Sequence, residues 1–137
     1  MLTHKASKKI LIPLDGSKNS LRGLKFALSI AKQSHSSVIG LNVCLSSIFT
    51  KNSILKQKSN DILKQAELMS KKADVSFSGV IKVNTNVGKS IITFAQSQDM
   101  DLIIIGSRGP DPYTEIFLGS VANHVVNKSK IPVTVVK

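Results

Sequence analysis

Apolar residues fall into two patterns along this chain. Short apolar runs at residues 9–14, 37–45, 75–83, 102–105 and 131–136 are bounded by turn-forming residues and read as strands. Between them, apolar positions recur every three or four residues. Leu21, Leu24, Ala27, Leu28 and Ala31 mark a first helix of about four turns. Leu55, Ile62, Ala66 and Met69 mark one face of a lysine-rich helix from about residue 52 to 72, after a loop at 46–51. Ile91, Ile92, Phe94 and Ala95 turn inward on a third helix, residues 90–98, and residues 120–128 form a fourth.

Strands alternating with helices predict an α/β fold: a doubly wound, five-stranded parallel sheet with helices on both faces. Right-handed crossovers favour the strand order 3-2-1-4-5, which places strand 3 at an edge. The order reverses between strands 1 and 4, and ligands of such sheets bind in the crevice beyond the C-terminal ends of the strands at that reversal. Asp15 follows strand 1 and Gly106 ends strand 4, so both are expected at the crevice.

The chemistry concentrates at the same place. Gly106-Ser107-Arg108-Gly109 is followed, after nine intervening residues, by Gly119-Ser120 and a helix opening with Val121. Glycines between a strand and a helix let the backbone approach a ligand closely, and the amides of a helix start favour an anion such as a phosphate. Arg108 is a candidate charge partner. The competing reading gives the glycines ordinary turn and helix-packing duty. Asp15 can accept hydrogen bonds from a ribose or base edge or help hold a cation, or can simply open a turn with Gly16 and Ser17. Pro13 and Val43 would wall an adenine on their apolar sides, or belong to the core. A second phosphate-like signal, Gly88-Lys89-Ser90, lacks the glycine a P-loop needs five positions earlier, where Val83 stands.

Composition adds limits. The 137 residues suit one domain, 1–137, with 1–7 as a flexible tail, and a chain near this size buries about 70% of its unfolded surface without a disulfide or metal. The single cysteine, Cys44, reads as a small core residue. No apolar run approaches the ~18 residues of a membrane span. No leader is expected, a cytoplasmic location is expected, and no membrane partner is. His4, His35 and His124 are assigned to the tail, a helix end and the surface. No metal-ligand spacing and no catalytic constellation stands out, so no catalytic residue or metal ligand is assigned and hydrolysis is expected to be slow or nil.

The net charge of +11 is the compositional outlier; between Lys51 and Lys72 six lysines face only Asp61 and Glu67. Without aromatic interleaving or a nucleic-acid motif it reads first as a solvated surface, with at most weak, non-specific nucleic-acid binding.

The chain resembles the universal stress protein family over nearly its whole length. The resemblance rests on Lys9-Ile10-Leu11-Ile12-Pro13-Leu14-Asp15-Gly16-Ser17, on Asp101 to Gly109 with its G-x2-G-x9-G-[S/T] spacing, and on Ile131-Pro132-Val133-Thr134-Val135-Val136. It implies ATP or AMP as ligand, with Mg2+ as an optional companion. Asp15 would lie at the ribose or adenine edge, Val43 beside the adenine, and Gly106, Gly109, Gly119 and Ser120 at the phosphates. It also implies a homodimer paired through the last strand, at Val133 and Val135. Three features depart from the family pattern: the prolines and acids of Pro110 to Glu115, Asn42 where a histidine is frequent, and the basicity. The expected function is adenine-nucleotide binding in stress response or signalling. The alternative is an interaction protein of the same fold with an empty site, whose lysine-rich surface meets an anionic partner or nucleic acid.

Overall fold

The computed structural model describes residues 8–44, 53–107 and 118–137. The expected tail at 1–7, the loop at 46–51, and Arg108 and Gly109 lie outside the described residues.

Five strands are all parallel and follow the order β3-β2-β1-β4-β5: β1 Lys9–Pro13, β2 Ser37–Cys44, β3 Phe77–Val83, β4 Leu102–Gly106 and β5 Val133–Val136. Among the described residues four helices connect them: α1 Lys18–Ser34, α2 Ser53–Lys72, α3 Val87–Ser97 and α4 Ser120–Lys128. Successive strand side chains point to opposite faces, which splits the core in two. Ile10, Ile12, Val38 and Ile104 face α1 and α2, packing against Leu24, Ala27 and Ala66. Leu11, Leu41, Ile103 and Ile105 face α3 and α4, packing against Ile91, Phe94, Ala122 and Val125. Strands covered on both faces need continuous apolar runs, as β1 and β4 have.

Three boundaries differ by two or more residues from the sequence expectation. Helix α3 starts at Val87, three residues early, because the Asn86 side chain accepts from the Lys89 amide at 3.0 Å and caps the helix there. Strand β3 starts at Phe77, after Asp74 has taken a left-handed turn with φ of 57°. Strand β5 starts at Val133, since Pro132 has no N–H to give the ladder although its carbonyl accepts from Ile103 at 2.9 Å. Among the described residues no helix is long and apolar enough to cross a membrane.

Candidate functional site

The end of β1 is anchored before the chain turns. The Leu14 amide donates to the Leu41 carbonyl at 2.9 Å, and the Leu14 carbonyl accepts from Nδ2 of the buried Asn42 at 2.8 Å. Asn42, noted in the sequence only as a departure, thus holds the residue next to Asp15. Gly16 then adopts φ of 86°, a conformation costly for any residue with a Cβ. Ser17 caps α1 by accepting from the Ser20 amide at 3.1 Å.

These turns set the state of Asp15. Partial burial pushes its carboxyl upward, but hydrogen bonds from the Ser17 side chain and amide and from Ser20 outweigh that, and the group is held below the ordinary aspartate range. The Ser17 amide reaches Oδ1 at 2.9 Å. Asp15 is therefore an exposed, ionised acceptor at neutral pH.

On the other side of the switch point, α4 follows its N-cap Gly119, whose backbone is extended (φ −63°, ψ 163°) and which offers no side-chain cap. The first amides of a helix have no intrahelical partner and carry the positive end of the helix dipole.

Between these elements lies a cleft of about 190 Å³. It brings together Pro13, Asp15 and Val43 with Gly106, Gly119, Ser120 and Val121. Arg108 and Gly109, the other two expected site residues, lie outside the described part. Two walls were not expected from the sequence. Val87 and Ile91 of α3 line the cleft, because the crossover from the edge strand β3 to β4 carries α3 back over the sheet centre. Ser17, Asn19 and Ser20 of the first turn of α1 line it too. The helical period of Ile91 signalled burial but not which surface it meets.

Several expected roles change in detail. A Cβ on Gly106 would run into the Asn19 carbonyl oxygen, so close packing of β4 against α1 already requires glycine there. Gly88-Lys89-Ser90 forms the first turn of α3 and not a loop, and Lys89 is exposed. A Cβ on Gly88 would lie 2.7 Å from Cδ2 of His124, so His124, expected at the surface, is half-buried against α3. His35 ends α1 in a left-handed conformation and donates its amide to Ala31. Cys44, expected in the core, is half-buried; its sulfur lies 2.9 Å from Ser59 Oγ and 3.0 Å from Asn42 Oδ1. Among the described residues no three histidine, cysteine or acidic side chains are grouped to hold a metal.

A family model described as the universal stress protein family matches residues 6–137. The universal stress protein MJ0531 of Methanocaldococcus jannaschii is 32% identical, over 95% of this chain and 82% of that protein. The solved structure of MJ0577, from the same organism, superposes with a TM-score of 0.79 at 29% identity, covering 95% of each chain. A universal stress protein solved in complex with cAMP superposes with a TM-score of 0.76 at 25% identity, covering 96% of this chain and 98% of that one.

Proposed function

The chain belongs to the universal stress protein family, and we propose that it binds an adenine nucleotide, ATP or AMP, in the cleft between β1 and β4. The observation that carries this reading is the convergence on one cleft of an ionised acceptor, Asp15, an aliphatic wall, and the uncapped start of α4. A planar apolar base, a ribose and an anion need those three environments side by side. The residues fit the ligand. Pro13, Val43, Val87 and Ile91 would flank the base, Asp15 would take ribose or base-edge hydroxyl or amino protons, and the amides beyond Gly119 would meet phosphate. Arg108 and Gly109 are assigned to the phosphates by sequence spacing alone. A related protein solved with cAMP adds support. Mg2+ would accompany a triphosphate; among the described residues Asp15 is a carboxylate that lines the cleft.

The reading is of a nucleotide sensor with at most slow hydrolysis, because a carboxylate held below its usual range is a weak general base. Mass spectrometry of small molecules released from purified, denatured protein tests the assignment. An adenine nucleotide in the released fraction is expected; a ligand of another class would sink the assignment.

We also propose a homodimer through the outer edge of β5. That strand ends the sheet, and Val133 and Val135 are only half-buried within one chain. An edge strand left unpaired is a ready template for a second copy. Light scattering is expected to report twice the chain mass.

A further inference from the structure

The charge of this protein is not spread evenly over its two helical layers. Helices α1 and α2, which cover one face of the sheet, carry nine lysines and arginines against two acids. Helices α3 and α4, on the other face, carry two lysines and no acid. Spacing aligns the charges further. Lys18, Lys25 and Lys32 are seven apart and fall on one side of α1, about 10 Å from one to the next. On α2, Lys64 and Lys71 share one line, and Lys58 and Lys72 share another. All are exposed. Among the described residues Lys32 meets Asp74 at 3.2 Å, and Asp61 takes a hydrogen bond from Gln57.

The same layer carries exposed apolar side chains. Leu68 is 55% exposed and lies one helical turn from Lys64, Lys71 and Lys72. Ile54 is 77% exposed, one turn from Lys58. Phe26 on α1 is 40% exposed, one turn from Arg22.

We propose that the outer face of the α1–α2 layer is a docking surface for an anionic phospholipid bilayer. Lysines on two helices of one layer can meet a plane of negative headgroups together, and each one near such a surface adds attraction. The aliphatic side chains decide between lipid and nucleic acid. Leu68 and Ile54 gain nothing from a phosphate backbone, whereas at a membrane they enter the boundary between headgroups and acyl chains. The absence of a spanning run in the sequence bears only on insertion across a bilayer; a peripheral contact needs none.

The test is co-sedimentation of the full chain with vesicles of neutral phosphatidylcholine and with vesicles containing about 30% phosphatidylserine, near 0.1 M salt. Binding to the anionic vesicles is expected to be at least about tenfold tighter than to the neutral ones, and to weaken as added salt shortens the screening length. The triple charge reversal K64E/K71E/K72E is expected to lose at least about tenfold, and I54S/L68S severalfold, on the order of 1 kcal/mol or less. Both variants change exposed positions and are expected to keep the parent melting curve, which controls for folding. Equal binding to both vesicle types would overturn the proposal. So would tighter binding to duplex DNA than to anionic vesicles at the same salt, or full retention of vesicle binding by I54S/L68S. Either of those last two results would assign the surface to a purely electrostatic partner.

Discussion

The carbonyl oxygen of Asn19 occupies the space that a side chain on Gly106 would need. The first turn of α1 thus sits directly on the end of β4, and the two sides of the cleft are locked together by a contact that only glycine permits. Gly23, one turn further along α1, belongs to the same seam: a Cβ there would lie 3.2 Å from the Gly106 amide nitrogen.

Gly106→Ala is therefore expected to destabilise the fold itself, ligand or no ligand. Overpacking against a backbone atom that cannot rotate away costs about 2–3 kcal/mol. For a domain of this size that lowers Tm by roughly 10 °C. Thermal unfolding of ligand-free protein measures it; an unchanged Tm would show that the β4–α1 seam yields easily.

Gly119→Val separates binding from stability. Gly119 has an extended backbone that other residues can adopt, so the variant is expected to fold. At a hundredfold excess over Kd, ATP or AMP is expected to stabilise the parent by about 2.7 kcal/mol, a rise in Tm on the order of 10 °C. The variant is expected to lose that shift, since a branched side chain at the start of α4 blocks the anion. No shift in the ligand-free parent with ATP, ADP or AMP would refute nucleotide binding at this cleft.

Lys89→Ala tests the rival phosphate signal. Lys89 is exposed in the first turn of α3, and the cleft is lined by its neighbours Val87 and Ile91 instead. Nucleotide affinity is expected to stay within about threefold, under ~0.7 kcal/mol. A hundredfold loss by calorimetry would move the phosphates from α4 to α3.

Asp15 gives the protein a pH signature of known sign. Its folded-state carboxyl is held below the ordinary aspartate value by its hydrogen bonds. Its contribution is thus fully present above the unfolded value near 3.9 and is lost as pH falls through the lower, folded value. Asp15→Asn is expected to cost up to about 1 kcal/mol at neutral pH, because the group is exposed and its hydrogen bonds are partly replaceable. Denaturant midpoints of parent and variant are expected to converge in acid; a gap that stays constant down to low pH would assign the effect to something other than ionisation.

Ser107→Ala probes an unusual buried hydroxyl. Ser107 is fully buried, and its Oγ has no hydrogen-bond partner among the described residues. A buried unsatisfied hydroxyl costs about 1–3 kcal/mol, so its removal is expected to leave stability unchanged or raise it by about 1 kcal/mol. A large loss in chemical denaturation would mean that the hydroxyl is engaged in solution.

What the amino-acid sequence determined by itself was local. Period-two and period-3.6 patterns, with their turn residues, specify five strands, four helices and their alternation, and chain chirality then leaves few sheet orders. That is why the order 3-2-1-4-5 and the positions of Asp15 and Gly119 at the switch point were legible from the residues alone. Cap, turn and proline chemistry moved boundaries by only two or three residues, as at Asn86, Asp74 and Pro132. Tertiary structure decided which residues meet across the chain. Val87 and Ile91 become walls of the cleft only because α3 is carried back over the sheet centre. Asn42 becomes the support of the β1 turn only because β2 lies beside β1 in a register that brings its amide to Leu14. The Gly106 signal, read as room for a ligand, is also room for the backbone of α1. A missing side chain looks the same in sequence whatever fills the space, and only the position of Asn19, eighty-seven residues away along the chain, identifies one occupant.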